Sequence, residues 1–145
     1  MSSEITTETP KSDRFQVALR DPFLEELICI ADECNKDTGE TSGIGITISV
    51  NGMLVSGYII SYREHLEHYC NSVLPSNIKQ MRMDDYEKHY NENEYRRNFI
   101  HLKNVRFYTP GQVPIPGDDI SNVFWRGRLA EIAGFNLGVL ETKKK

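Results

Sequence analysis

Apolar residues near the start of the chain recur every three or four positions. They are Phe23, Leu24, Leu27, Ile28, Ala31 and Cys34. This spacing places them along one stripe of a helix. Asp21 is suited to cap that helix, and Pro22 fits its first turn. We therefore predict a helix that begins at Asp21-Pro22, buries this stripe and ends in residues 35–45, which are rich in Gly, Thr and Ser.

The hydrophobic period changes from helical to two after Gly45. Residues 46–50 read Ile-Thr-Ile-Ser-Val, and the next two residues are Asn51-Gly52. Alternation followed by Asn-Gly is typical of a strand that enters a type I′ hairpin turn. The return strand is predicted over residues 53–62, with Gly57 at a bend or a bulge.

Residues 63–98 lose the strand pattern. Leu66, Tyr69, Cys70, Val73 and Leu74 suit a helix that ends near Pro75. Residues 78–98 are polar, with five charges of each sign, and are predicted to be helical in part. We interpret residues 63–98 as a helical insertion, because they hold too few apolar residues for a second core.

Strand character returns in residues 99–108, FIHLKNVRFY. A loop rich in Pro and Gly follows over 109–119, and residues 123–128 and 132–140 form the last two predicted strands, with a turn or bend near Ala133-Gly134. Five short strands with glycine at the bends predict an α+β, mainly β fold: a small SH3-like, partly open barrel. The predicted organisation is a flexible tail at 1–20, one barrel domain at 21–140 and a basic tail at 141–145.

The only tryptophan of the chain lies in the segment Val123-Phe124-Trp125-Arg126-Gly127. Because strand side chains alternate, Trp125 shares a face with Val123 and Gly127, while Phe124 and Arg126 share the other. If Val123 is in the core, Arg126 is exposed and free to pair across a subunit boundary. Gly127 is predicted to permit a sharp bend.

Composition limits the class of protein. The chain has 145 residues and a formal charge of −4, which argues against general binding to nucleic acid or anionic membrane. No segment has the apolar run of a signal peptide or a membrane span. Its three cysteines match no metal or redox spacing and are predicted to be reduced thiols of a cytoplasmic protein.

Charge is unevenly distributed along the chain. Residues 1–40 hold four basic and ten acidic side chains, a formal charge of −6, whereas residues 99–145 hold seven basic and four acidic, a formal charge of +3. Two interpretations stay open. The charges are scattered over solvated surfaces, or opposite charges on different copies attract one another and give salt-sensitive association.

Candidate catalytic chemistry is sparse. His65 and His68 lie one helical turn apart, beside Glu64 and Glu67, but a metal site needs a third ligand of suitable geometry and a second shell. We interpret them as surface residues, and His101, between Ile100 and Leu102, as a partly buried structural residue. The sequence therefore predicts no enzyme activity, no catalytic residues, no metal and no cofactor.

Two strand motifs resemble the Sm-like proteins. Residues 46–59 are similar to the first Sm motif, and Val123 to Gly127 are similar to the Arg-Gly strand of the second. In that family an Asp and an Asn after the second strand bind RNA, but the corresponding positions here fall near Arg63 and Glu67. A carboxylate at residue 67 would repel a phosphate. RNA binding, or an oligomeric scaffold of Sm type, remains the alternative function.

A second resemblance extends through most of the chain. The segments FLEELI, GITISVNGMLVSGYIIS, FIHLKNVRFYTPG, VPIPG and WRGRLAEIAGFNLG follow in the order of the gas vesicle accessory family GvpU. This resemblance implies a cytoplasmic, vesicle-associated accessory protein that organises or clusters gas vesicles, and it supplies no catalytic residues.

We expect the partners to be other copies of this chain and the vesicle surface or other gas vesicle proteins, with neither nucleic acid nor membrane. The candidate self-association residues are Trp125, Arg126, Arg128, Tyr62, Tyr108, Lys143, Lys144 and Lys145. The aromatic residues among them also fit an ordinary barrel core or rim.

Overall fold

A computed structural model describes residues 21–38, 43–92 and 98–141 of the chain, with side chains described except at 35–38. Within these ranges the fold is α+β and mainly β: five antiparallel strands form a half-barrel, with one helix before them and a helix pair between strands 2 and 3. The predicted fold class is confirmed. The predicted tail at 1–20, and residues 142–145 of the predicted basic tail at 141–145, lie outside the described residues.

Helix α1 spans Pro22–Thr38. Asp21 caps it as predicted, since its carboxylate accepts a hydrogen bond of 2.9 Å from the backbone N–H of Phe23. Leu24, Ile28 and Ala31 of the predicted stripe are buried in the core. The prediction for Phe23 was wrong: its side chain is 67% exposed, because the buried face begins one position later, at Leu24.

The strands are β1 (Gly45–Val50), β2 (Met53–Ile59), β3 (Phe99–Tyr108), β4 (Trp125–Arg128) and β5 (Ile132–Leu137). They lie in the order β4-β3-β2-β1-β5, and every neighbouring pair is antiparallel. The inward side chains of this sheet and the apolar stripe of α1 form one core. Its buried members include Leu24, Ile28, Ala31, Ile46, Ile48, Val55, Ile59, Ile100, Leu102, Val105 and Leu129.

The hairpin between β1 and β2 forms where the sequence predicts it. Asn51 and Gly52 both have positive φ, 51° and 77°, as a type I′ turn requires. The register of β2 against β3 shifts between Ser56 and Tyr58, so the predicted bulge is present. A Cβ on Gly57 would lie 2.8 Å from the carbonyl oxygen of Lys103, so a side chain there would collide with the neighbouring backbone.

The insertion folds as two helices, α2 (Tyr62–Val73) and α3 (Ser76–Glu92). Ser61 caps α2 by accepting a hydrogen bond of 3.0 Å from the backbone N–H of Glu64. The helical part of the polar segment is more extensive than its composition suggests, because α3 packs on α2 and buries Met83. The predicted helix that ends near Pro75 is present as α2; of its apolar positions Leu66 and Cys70 are buried, whereas Tyr69 and Val73 are 44% and 56% exposed.

The last two strands differ in detail from the prediction. A 3₁₀ turn at Leu129–Glu131 separates them, whereas Gly134, the predicted turn position, lies inside β5. Although β4 and β5 are consecutive in sequence, they pair with β3 and β1 and occupy opposite edges of the sheet.

Candidate functional site

Aromatic rings and imidazoles meet where the helix pair covers the sheet. Tyr62 stacks on Tyr90 with ring centroids 3.8 Å apart, and His65 stacks on His101 at 4.0 Å. The Tyr62 ring also meets His101 edge-on at 5.8 Å. We call these four residues, from α2, α3 and β3, the Tyr–His cluster.

One carboxylate on α1 fixes this cluster. Asp32 accepts a hydrogen bond of 2.9 Å from the backbone N–H of Tyr62 and another of 2.9 Å from the hydroxyl of Tyr90. These two bonds join the start of α2 and the end of α3 to the first helix. The stacking of Tyr62 on Tyr90 is therefore set by contacts between residues far apart in sequence.

The cluster holds its two histidines neutral at pH 7. Burial, then the nearby Arg126 guanidinium and His68, lower the pKa of His65 to about 4. Burial, then His65 and Arg126, hold the pKa of His101 well below its ordinary value of 6.5. His101 is 5% exposed, and its Nε2 atom has no hydrogen-bond partner within the described ranges. Burial also raises the pKa of Tyr62, so at neutral pH these three groups are uncharged.

A cleft of about 280 Å³ opens beside the cluster, between α2, α3 and β4. Its lining consists of Tyr62, His65, Leu66, Tyr69, Tyr86 and Arg126. The guanidinium carbon of Arg126 lies 3.8 Å from the centre of the Phe99 ring, a cation–π contact that holds the charge at the rim. We call this feature the Arg126 cleft. Aromatic walls with one cation suit the binding of a planar or anionic group rather than proton transfer by imidazoles that are neutral at pH 7.

The Trp125 side chain lies on the core side of β4 and Arg126 on the outer side, as alternation predicts. Trp125 is half-buried against the core together with Val123, whereas Arg126 is exposed. Gly127 has a different role from the predicted bend. Strand β4 continues through it, and a Cβ at residue 127 would lie 2.6 Å from Cζ2 of the Trp125 ring. This glycine is needed because the indole covers it.

The other candidate residues are dispersed. Of the predicted set, the cleft brings only Tyr62 and Arg126 together. Tyr108 donates a hydrogen bond of 2.9 Å to the carbonyl of Leu140, and Arg128 lies 3.9 Å from the carboxylate of Glu131. Lysines 143–145 lie outside the described residues.

The structure adds cleft residues that the sequence analysis did not select, Tyr69 and Tyr86. For Tyr69 the sequence does contain an indication: Tyr62, His65 and Tyr69 are three or four residues apart and therefore share one face of α2. The partners of that face, Tyr86 and Tyr90, come from a helix whose sequence has little apolar periodicity.

The His65/His68 pair does not assemble with the nearby carboxylates. His68 stacks on Phe124 with centroids 3.7 Å apart, and Glu64 lies 3.2 Å from the Nζ atom of Lys103. Across the described ranges no three His, Cys, Asp or Glu residues converge as a metal site would require.

Comparison with known proteins supplies the identity. The family described as gas vesicle protein GvpU-like matches residues 21–140, a span that includes the five strands and three helices of the described ranges. No curated protein and no solved structure matches the chain. None of the helices in the described ranges combines the length and hydropathy that a membrane crossing requires. Because the match covers most of the sequence, the chain belongs to the GvpU-like family of gas vesicle proteins.

Proposed function

We propose that this protein is a non-enzymatic gas vesicle accessory protein that self-associates and thereby organises or clusters vesicles in the cytoplasm. Its partners are other copies of itself and the vesicle surface or another gas vesicle protein. Membership of the GvpU-like family supports the vesicle association. The self-association rests on a separate observation, the two open edges of the sheet.

Strands β4 and β5 each pair on one side only within the described residues. An unpaired edge presents a row of N–H and C=O groups that a strand of another chain can bind. On β5, Leu137 is 67% exposed, so this edge also presents an apolar side chain. One copy's β4 edge and another copy's β5 edge would form a head-to-tail contact, which builds rings or extended chains.

The uneven charge supports the same proposal. The first forty residues carry −6 and the last forty-seven carry +3, so opposite ends of different copies attract. A single exposed ion pair contributes only about 0–1 kcal/mol. Several weak contacts repeated across an oligomer give a much higher avidity, which suits a protein that must link whole vesicles reversibly.

The decisive experiment adds the purified protein to isolated gas vesicles and follows light scattering and sedimentation over a salt series. We expect vesicles to cluster at low ionic strength and to disperse as it rises. The variant Leu137→Lys places a charge on the β5 edge and should weaken clustering. Val113→Lys adds the same charge to a loop residue that is 82% exposed and should leave clustering unchanged. Vesicles that stay dispersed at every salt concentration would contradict the proposal.

The RNA-binding alternative has its own measurement. At the positions that correspond to the RNA-binding residues of the Sm-like proteins, Arg63 lies 3.7 Å from Glu67 and also binds Glu87 at 2.7 Å. A fluorescence-anisotropy titration with U-rich and A-rich single strands should show no binding below high micromolar protein. Sub-micromolar affinity would favour the Sm-like function over the vesicle function.

A further inference from the structure

The Arg126 cleft carries a positive charge that no acidic side chain in the described ranges neutralises. Arg126 is exposed, and it forms no ion pair with any residue in the described ranges. No carboxylate is among the residues that line the cleft. The cleft has a volume of about 280 Å³, just below the range of about 300–1,000 Å³ that is usual for pockets that enclose a small-molecule ligand. The cleft therefore suits an aromatic ring with a carboxylate beside it.

The chain itself presents such a group on α1. Phe23 is 67% exposed, more than any other aromatic residue that is exposed in the described ranges. Glu26, also exposed, follows three residues later, so the ring and the carboxylate lie on the same side of the helix, about one turn apart. Together the Phe23 ring and the Glu26 carboxylate are complementary to the aromatic walls and the guanidinium of the Arg126 cleft.

We propose that the Phe23–Glu26 face of one copy docks into the Arg126 cleft of a second copy. The Phe23 ring packs against Tyr69 and Tyr86, whose own rings meet edge to face with centroids 6.4 Å apart, and the Glu26 carboxylate binds the Arg126 guanidinium. The inference rests on the self-association proposed above and adds to it a defined contact, separate from the strand edges.

This contact is heterologous, because the docking face and the cleft are different surfaces of the same chain. Every copy carries one of each, so association closes into a ring where the rotation between copies allows it and otherwise continues as a chain. Combined with pairing of strand edges, it gives each copy two kinds of contact. Two kinds of weak contact permit the branched, multivalent assembly that links large particles.

Sedimentation velocity of the full-length protein at low salt tests the contact. Phe23→Ala, Glu26→Arg and Arg126→Glu should each weaken association about tenfold or more, because they remove an anchor or place like charges together. The matched controls are Ile30→Ala on the same helix, where Ile30 is 42% exposed, and Lys88→Glu, an equal charge reversal at an exposed residue of α3 that does not line the cleft. These controls should change association less than about twofold.

Two further samples make the test specific to this pairing. The double variant Glu26→Arg with Arg126→Glu restores opposite charges and should recover most of the lost association. An equimolar mixture of Phe23→Ala and Arg126→Glu proteins retains one intact docking face and one intact cleft. It should therefore form one-to-one dimers and nothing larger, in buffer conditions under which each variant alone stays monomeric.

The outcomes separate this inference from the proposed function. If the wild type assembles and all three single variants assemble equally well, the contact is wrong and self-association stands. If the variants lose association but neither the charge swap nor the mixture restores it, the contact is also wrong. A wild type that is monomeric at every salt concentration overturns both proposals. Thermal melting by circular dichroism checks that each variant is folded, which the exposure of all three residues leads us to expect.

Discussion

The indole of Trp125 covers Gly127, two residues further along β4. A Cβ at residue 127 would lie 2.5 Å from Cζ3 and 2.6 Å from Cζ2 of the ring, far inside van der Waals contact. Within β4 the largest side chain, the indole of Trp125, therefore packs over Gly127, which has no side chain. This arrangement keeps Trp125 against the core while Arg126, between them, projects from the opposite face to the rim of the cleft.

Gly127→Ala should destabilise the protein by about 1–3 kcal/mol, because the indole must leave its position or the strand must shift. Urea denaturation followed by tryptophan fluorescence measures both the midpoint and the change around the single tryptophan. Gly134→Ala on β5 is the matched control, since a Cβ there meets no atom within 4 Å, and it should change stability by less than about 0.5 kcal/mol. Equal stability of the two variants would show that the indole does not require the glycine.

Stability should fall as the pH falls below about 6.5. In the folded state the pKa of His65 is lowered to about 4 and that of His101 is lowered well below 6.5, whereas in the unfolded chain both titrate near 6.5. Below pH 6.5 the unfolded state binds more protons than the folded state. The loss of folding stability therefore begins near pH 6.5, and the part due to His65 continues down to about pH 4. Each histidine changes the free energy of unfolding by at most about 1.4 kcal/mol per pH unit. The effect of His65 is smaller, because its side chain is partly exposed to solvent.

Denaturation curves from pH 8 to pH 4.5 measure this dependence. His101→Leu removes one group that takes up a proton on unfolding, so its stability should vary less steeply with pH than that of the wild type, whatever its absolute value. Parallel curves for the two proteins would mean that His101 is not held neutral by the fold.

Asp32→Ala should loosen the helix pair from the rest of the molecule. The substitution removes the acceptor of the Tyr62 N–H and of the Tyr90 hydroxyl, and a part-buried group left unpaired costs about 1–3 kcal/mol. Hydrogen exchange should accelerate in α3 more than in β1 to β3. Ile30→Ala, at a position of the same helix that is 42% exposed, is the control and should leave exchange in α3 unchanged. Uniform acceleration throughout the protein would argue against a local role for Asp32.

The salt dependence of association should change when the basic tail is neutralised. Replacing lysines 143–145 with glutamine removes three positive charges from the end of the chain. Because the Debye length shrinks from about 10 Å at 0.1 M to about 3 Å at 1 M salt, wild-type association should decline over that range and the variant should decline less. Light scattering over a salt series measures both. Lys79, Arg82 and Lys88, all changed to glutamine on α3, provide a control of equal charge that should behave like the wild type.

Local chemistry along the chain determined much of the fold. The Asp21-Pro22 start of α1, the Asn51-Gly52 turn and the Gly57 bulge each depend on the conformation of a few adjacent residues, and all three are present as predicted. Alternation in β4 also placed Trp125 and Arg126 on the correct faces, because a strand's period of two needs no knowledge of its partners. The family follows from motifs in order along residues 21–140 and is equally a property of the sequence.

Contacts between distant residues decided the rest. Phe23 satisfies the helical pattern as well as Leu24 does, and only the direction in which α1 packs on the sheet leaves it exposed. The Tyr–His cluster joins α2, α3 and β3, and the Asp32 carboxylate on α1 binds two of its residues. Burial in this cluster, His65 and Arg126 together lower the pKa of His101, and none of these neighbours lies close to His101 in the sequence. The order of the strands in the sheet also depends on contacts between distant residues, and it places β4 and β5 at opposite edges. Periodicity assigns a residue to a face, but only tertiary packing determines what that face meets.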